Sequence, residues 1–479
     1  MSDRVRLASW LQRTDVAVLA ALVALTLAFG KGFSKIGAGG IYVTEVLIFV
    51  AGVAAVARLG ARRGSSLASE RVPATALLTF WALGAFALAR GLADYGVGNV
   101  KYDVGMFEYS VLIPLVVLAV DSRDRLSLML NAFGYGCVAG IVLSAMDRWL
   151  GDAVWPVTGP VPSALLTMMI SFYFAWVVAR LTQGVPTARF HLPLLLLGLV
   201  LLQLDERRTA WLAILLLIPL LSVTAQRLPS LRVAAIGGAV FLIAGVLAQV
   251  APTGTIGSAE PGETPAPTAD SPGGKQSVGG ELRGTFSNDD SGQSSNADWR
   301  LDIWGFALEN SVKNPAGVGF GRPMKFVWGG QGYDFRTGDP ELVEFDVTGP
   351  HNDFVHYAYR MGWPALIAVI ALVAIAVSRV WPWLRRSARG TEEAASAIAL
   401  TAMLVTAIVF ASLNDALKTP YMGIFFWVLL GLMLVFPWLV RERSSAPLDG
   451  AHVQVPADAT LEGSGNGRRR NPAAAGEHA

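Results

Sequence analysis

Cysteine is nearly absent. The single one, Cys137, lies in an apolar run, so no intrachain disulfide can form and the thiol reads as inert packing. Charge is scarce as well: 15% of the 479 residues are Asp, Glu, Lys or Arg, 53% are hydrophobic, and the mean hydropathy is +0.48. A soluble domain carries about a quarter charged residues, so this chain has too little polar surface to coat a water-soluble globule. The few charges nearly cancel, to +2, which gives nucleic acid or any other polyanion no footing. The composition points instead to an all-α polytopic membrane protein.

A membrane-spanning helix needs about 20 mostly apolar residues. About twelve segments qualify: 15–31, 41–57, 73–90, 106–120, 127–146, 161–180, 192–204, 209–225, 233–251, 353–378, 395–413 and 421–440. The seventh and eighth are separated only by Asp205-Glu206-Arg207-Arg208, but together they are too long for one crossing. With the N-terminal Arg4, Arg6 and Arg13 placed inside, alternation puts five arginine-bearing loops inside too: Arg58/Arg62/Arg63/Arg71, Arg123/Arg125, Arg180/Arg189, Arg227/Arg232 and Arg379/Arg385/Arg386/Arg389. Arg441 and Arg443 in the tail join them. Outside exceptions are Arg207/Arg208, Arg148 and Lys31/Lys35. Both termini are then cytoplasmic, in a plasma (inner) membrane protein whose first span is not a cleaved signal.

The spans divide the chain. Residues 1–251 hold spans one to nine, and 351–440 hold spans ten to twelve. Residues 252–350 form one large outer loop. Its part 252–297 is rich in Gly, Pro, Ser, Thr and Asp and is expected to be disordered. Its part 298–350 is expected to be structured: Asp298 to Leu308 places Trp299, Ile303, Trp304, Phe306 and Leu308 at helical spacing, Asn314-Pro315 ends that helix, and Gly317-Val318-Gly319-Phe320-Gly321 makes a tight turn. The tail 441–479, polar and basic at Arg468–Arg470, is expected to be disordered.

Three features could carry chemistry. Arg207-Arg208 sits at an outer membrane boundary, where ionisable groups are costly and guanidinium forks match phosphate oxygens; a snorkelling loop with local ion pairs to Asp205 and Glu206 is the alternative. Arg300 sits on the amphipathic loop helix, which could equally be an ordinary helix lying on the membrane. The glycine turn after it lacks a following Lys-Ser/Thr, which excludes a nucleotide-binding loop. His351-Asn352 follows Gly349-Pro350 at the mouth of the tenth span, where a neutral imidazole could serve as a general base or simply bond the backbone. His356 is five residues on, about 140° around a helix. That spacing excludes a zinc-binding i, i+4 pair and makes His356 the inconsequential histidine of the two. No metal site is read.

Together these features resemble the O-antigen ligase and O-antigen polymerase superfamily of bacterial envelope enzymes, GT-C-like membrane proteins with about a dozen spans and a large outer loop. The resemblance is carried by His351-Asn352, nine residues and Gly362; by Arg208-Thr209 at an outer span boundary; and by Arg300-x-x-x-Trp304 with Asn314-Pro315-x-Gly317-Val318-Gly319-Phe320-Gly321. Two departures stand out: Ala365 lies where the ligase pattern continues with Gly, Thr or Tyr, and Arg207 precedes Arg208 where Ser is usual. The resemblance implies metal-independent, inverting transfer of a glycan from a polyprenyl-diphosphate (undecaprenyl-type) carrier to an acceptor hydroxyl on a lipid, polymer or protein, with no cofactor. His351 would be the catalytic base. Arg208, Arg300 and Arg207 would hold the diphosphate, with Asn352, Gly317, Gly319, Gly321 and Gly362 supporting. Partners are then the lipid-linked glycan, the acceptor and membrane lipids. The alternatives are the polymerase of the same superfamily and a small-anion secondary transporter, which would keep its site near the bilayer midplane.

Overall fold

The computed structural model describes residues 3–34, 36–38, 41–61, 71–150, 163–205, 208–224, 294–328, 343–347, 349–385 and 390–441. The expected ninth span 233–251, the loop 252–293, Arg207 and the tail from 442 lie outside these residues. The chain divides into a large unit, Met1–Val440, and a small one, Arg441–Ala479.

The elements of the large unit are helical with two short β-ribbons. In chain order they are α1 (Asp3–Ser34), β1 (Gly37–Ala38), β2 (Ile41–Tyr42), α2 (Val43–Ala61), α3 (Arg71–Val100), α4 (Gly105–Glu108), a 3-10 turn (Tyr109–Val111), α5 (Leu112–Ala119), α6 (Arg123–Leu150), α7 (Ser163–Gln183), α8 (His191–Asp205) and α9 (Arg208–Thr224). Then come α10 (Ser294–Lys313), β3 (Met324–Trp328), β4 (Val343–Val347), α11 (Asp353–Arg360), α12 (Trp363–Leu384), α13 (Glu392–Leu413) and α14 (Pro420–Arg441). β3 and β4 pair antiparallel, from Met324 opposite Val347 to Trp328 opposite Val343.

Among the described residues, seven helices are long and apolar enough to cross a membrane: 14–34, 74–100, 123–150, 164–183, 363–384, 392–413 and 420–440. Four shorter apolar helices, 43–57, 105–119, 191–204 and 209–224, stand at other expected spans. The expected tenth span, 353–378, is divided. α11 stops at Arg360, and α12 begins at Trp363 after Gly362, whose φ of 87° no L residue adopts easily. Pro364 near the start of α12 helps separate the two helices, since proline suits only the first turn. α10 begins at Ser294, four residues before the expected Asp298, and ends at Lys313 as the following Asn314-Pro315 requires.

Apolar character all around a helix demands burial on all sides. α14 meets that demand: Phe425, Phe426, Trp427 and Phe436 are fully buried. Rings converge on it, Phe80 of α3 on Trp427 at 5.5 Å, and Phe133 of α6 and Phe172 of α7 on Phe425, each at 6.0 Å. α13 packs on α7 and α9, α1 on α2 and α6, and α12 on α3.

Side-chain contacts sort the loops into two ends. At one end Arg123 reaches Leu439 O, Val440 O and Glu393, Arg125 reaches Asp15, and Gln183 reaches Thr224 O and Gly390 N. At the other, Tyr357 donates to Met106 O, Phe320 N–H to Ala87 O, and Arg300 to Leu413 O. α9 ends at Thr224 in the first group, so its start, Arg208, is carried by its 17 residues toward the second.

Candidate functional site

The second end is organised around the start of α11. Asn352 is in extended conformation, and its Oδ1 accepts the N–H groups of Phe354 and Val355, at 3.1 and 3.2 Å. This is an N-cap, in which a short polar side chain satisfies amides that have no carbonyl partner. His351 precedes the cap. With φ of 51° it is the one non-glycine residue with positive φ among those described, a conformation that costs energy unless its surroundings hold it. The backbone there turns the imidazole aside, leaving its side chain 44% exposed.

Four groups surround that imidazole. The Trp299 ring of α10 lies 5.6 Å away, and Asp415 Oδ2 lies 3.8 Å from Nδ1. Arg300 and Lys418 are close enough to act on it electrostatically. Burial holds the His351 pKa below the ordinary imidazole value; the Asp415 carboxylate opposes this, and Arg300 and Lys418 reinforce it. A neutral imidazole is therefore the favoured form at neutral pH.

α10 is tied to this point twice. Arg300 NH1 donates to Leu413 O at 3.0 Å, and Trp304 Nε1 donates to Pro350 O at 2.7 Å, next to His351. Ile303, Ala307, Val318, Met324 and Tyr359 form a small core of their own beneath α10. The helical spacing of the apolar positions on α10 thus buries one face and lays Arg300 beside the histidine.

The glycine turn locks against α11 and α3. Val318 N–H donates to Tyr359 O and Gly319 N–H to Arg360 O, at 2.9 and 3.0 Å. Arg90 donates to Gly317 O at 2.8 Å, and Gly321 N–H donates to Asp103 Oδ2 at 2.7 Å. Gly317, Gly319 and Gly321 all have positive φ. Gly317 and Gly362 face one another: a Cβ on Gly317 would lie 2.4 Å from Arg360 O, and one on Gly362 2.4 Å from Pro315 O. These two glycines let the loop backbone cross the break between α11 and α12.

Several participants escaped the sequence reading. Asp415 and Lys418, 2.9 Å apart, belong to the loop between α13 and α14. Arg360 donates to Arg322 O at 2.6 Å and to His356 Nε2 at 3.1 Å, and its Nε lies 3.0 Å from Asp103 Oδ2. Asp353 Oδ2 accepts Ala416 N–H and Leu417 N–H at 2.7 and 2.8 Å, pinning that loop to α11. Gly349 lies so close to Asp415 and His356 that a Cβ would stand 2.9 Å from each. Signals existed for two of these: an arginine inside an apolar segment, Arg360, and an i, i+3 ion pair at a span boundary, Asp415 and Lys418, are both unusual in a membrane chain.

His356 differs most from its expected surroundings. The helical angle between it and His351 does not apply, because His351 precedes the helix. His356 is fully buried, between Arg360 and Asp415, whose Oδ1 is 4.0 Å from Nδ1. Asp353, His356 and Asp415 each offer a ligand-type atom within 4.8 Å of the others, a spacing that could hold a cation. The Lys418 ammonium already supplies positive charge to that group.

The sequence-read residues thus divide. Arg300, His351, Asn352, Gly317, Gly319, Gly321 and Gly362 are interlocked at one end of the bundle. The backbone of Arg208 starts α9 toward the same end, while its side chain, and all of Arg207, fall outside the described residues. The arrangement offers a half-exposed neutral base bordered by cations, which suits proton removal beside an anionic leaving group.

Comparison with known proteins agrees in kind. None of the curated proteins matches the chain. Residues 193–370 match the family model described as O-Antigen ligase, a stretch that contains Arg207, Arg208, Arg300, the glycine turn, His351 and Gly362. This match, over less than half of a chain with several helices able to cross a membrane, makes residues 193–370 similar to the O-antigen ligase family and supports glycan transfer of the O-antigen ligase or polymerase type.

Proposed function

We propose that the protein transfers a glycan from a polyprenyl-diphosphate carrier to an acceptor hydroxyl on the outer face of the bacterial plasma membrane. The observation that carries the reading is His351: a histidine held in a left-handed conformation, half-exposed, kept neutral, and bordered by Arg300 at the end toward which α9 presents residue 208. In the reaction the acceptor oxygen attacks the anomeric carbon from the face opposite the carrier. The bond from that carbon to the diphosphate oxygen breaks, and the configuration inverts. The hydroxyl proton passes to His351, and the negative charge gathers on polyprenyl diphosphate. Arg300 and Arg208, with Arg207, hold that charge. A guanidinium fork matches phosphate oxygens in pairs, and fixed cations stabilise a leaving group whose charge grows in the transition state. Asn352 and the four glycines keep base and cation in register.

Topology belongs to the same reading: twelve crossings, both termini cytoplasmic, and the loop 252–350 outside. The arginine-rich loops would then gather at the Arg123 end, on the cytoplasmic face. The test is transfer by the purified protein from a polyprenyl-diphosphate glycan to a hydroxyl acceptor, with the product's anomeric configuration determined. Release of polyprenyl diphosphate with an inverted product supports the reading. Unimpaired turnover in His351→Ala, or a retained configuration, overturns the assigned mechanism.

A further inference from the structure

An apolar groove of about 700 Å³ runs along α2, apart from His351. We propose that it binds a membrane lipid whose headgroup carries a primary ammonium, with the head at Glu45 and Glu108 and one acyl chain lying in the groove. The site does not depend on the proposed transfer reaction.

Helical spacing builds the walls. Glu45, Ile48, Phe49, Gly52, Val53 and Val56 recur at three- and four-residue steps, so they form one stripe of α2. Tyr109 of the 3-10 turn and Leu115 of α5 face that stripe. Gly52 leaves open the space in front of Leu115, whose Cδ2 a Cβ would approach to 3.6 Å. Phe49, Val53 and Val56 are exposed, so the groove opens sideways, which on a membrane-spanning chain means toward hydrocarbon. From Glu45 to Ala57 the stripe is about 18 Å long at 1.5 Å per residue, close to the ~15 Å of hydrocarbon in one leaflet. The volume is that of a small-molecule site and roughly half of what a helix of this length, about 10 Å across, would fill. The dimensions suit one lipid chain better than the spanning helix of a partner.

One end of the groove is acidic. Glu45 Oε2 accepts the Tyr42 N–H at 2.8 Å, and the Tyr109 hydroxyl lies between Glu45 Oε1, 3.5 Å away, and the Glu108 carboxylate. The two carboxylates act on each other as like charges, and among the described residues neither has a Lys or Arg partner. Ionisable groups at membrane depth are costly, and neighbouring like charges oppose one another's ionisation. A primary ammonium answers both demands, since it brings positive charge and three N–H donors for the carboxylate lone pairs that Tyr42 and Tyr109 leave over. An anionic phosphate head would be repelled. The acidic end lies toward His351: Met106 O accepts the Tyr357 hydroxyl, and Gly105 lies directly against Lys418 O. The lipid is therefore drawn from the leaflet on that side of the membrane.

The experiment places the full-length protein in nanodiscs of equal phosphatidylethanolamine and phosphatidylglycerol with identical dioleoyl chains. The protein is then released, and the lipids that stay bound are identified by native mass spectrometry. A second preparation uses phosphatidylcholine, whose quaternary ammonium has no N–H, in place of phosphatidylethanolamine. Wild type is expected to retain phosphatidylethanolamine over phosphatidylglycerol by about fivefold or more, and over phosphatidylcholine as well. Glu45→Gln with Glu108→Gln should abolish the preference while chains are still held. Gly52→Leu, which fills the groove, should lose bound lipid of every headgroup with an unchanged thermal melt. Equal retention of the two headgroups by wild type overturns the proposal, and that arm needs no variant to fold. So does a preference that survives the double substitution, or lipid retention undiminished in Gly52→Leu. A protein that copurifies with wild type and is lost in Gly52→Leu, with lipid retention unaltered, would make the groove a partner's seat and overturn it too. No arm measures glycan transfer, so failure here leaves the transfer reading standing, and failure of that reading leaves the lipid site.

Discussion

At the end of the bundle away from His351, Arg123 places its guanidinium on two backbone carbonyls and a carboxylate: Leu439 O at 2.9 Å, Val440 O at 2.9 Å and Glu393 at 2.7 Å. Arg125 does the same with Ala119 O, Asp121 and Asp15. These arginines staple helix ends. At the His351 end the same residue types are arranged differently. Arg360 is enclosed and staples as Arg123 does, but Arg300 stands beside a half-exposed imidazole. Asp103 Oδ1, Asp353 Oδ1, His356 Nδ1 and Asp415 Oδ1 are buried there without hydrogen-bond partners. Burying such atoms costs about 1–3 kcal/mol each. At this end they accompany the one described non-glycine residue of positive φ. One end is built to hold, the other to act.

The sharpest test of that contrast is His351→Ala. Removing a general base typically costs about 100- to 10,000-fold in rate, and alanine carries the same Cβ in that left-handed conformation as His351 does, so the substitution adds no new backbone strain and folding should stay intact. The expected outcome is a near-complete loss of transfer with an unchanged thermal melt and retained binding of the lipid-diphosphate donor. A melt that falls in step with activity would mean His351 is a structural residue and the contrast is false.

Arg300→Lys should rank next. The ammonium keeps the charge but loses the planar fork, and loss of one oriented donor to a developing anion is worth about 100- to 1,000-fold at the upper end. A loss of about 10-fold or more in kcat, not recovered at saturating donor, is expected. Recovery at high donor would show that Arg300 binds the ground state and leaves the transition state to other groups.

His356→Ala asks whether the buried layer behind the site is structural. The residue is fully enclosed, accepts from Arg360 and abuts Asp103. Truncation leaves a cavity and takes one of the two partners of Arg360 Nε, which together should destabilise by about 2–4 kcal/mol. The expected signature is a lowered melting temperature with activity that recovers at reduced temperature, unlike His351→Ala. Sequence alone ranked His356 as inconsequential because it treated both histidines as positions on one continuous helix. The cap at Asn352 and the break at Gly362 are local backbone decisions, yet the partners of the break, Pro315 O and Gly317, lie more than forty residues away in the chain. The long apolar helices, the helical spacing in α10 and the glycine turn were legible, since each is a local pattern. Asp103 was not, because nothing local distinguishes an acid that will meet a distant histidine from one that will meet water, and the i, i+3 spacing of Asp415 and Lys418 marks a pair without naming the histidines it will face.

The smallest effect on chemistry is expected from Arg123→Ala. Its side chain is about one-third exposed, so part of its electrostatic gain is screened by solvent. Its two carbonyl contacts still fasten the start of α6 to the end of α14, the most enclosed helix of the bundle. The variant should melt at a lower temperature than wild type, and Glu393→Gln should lower it by less, since it keeps both carbonyl contacts. The rate per folded molecule should be unchanged in both, because His351 and Arg300 are anchored through Pro350, Leu413 and Asn352 at the opposite end. Thermal melts and transfer rates on the same preparations decide it. If Arg123→Ala cut kcat tenfold while still folded, the two ends would be coupled through α14, and the division between holding and acting would have to be given up.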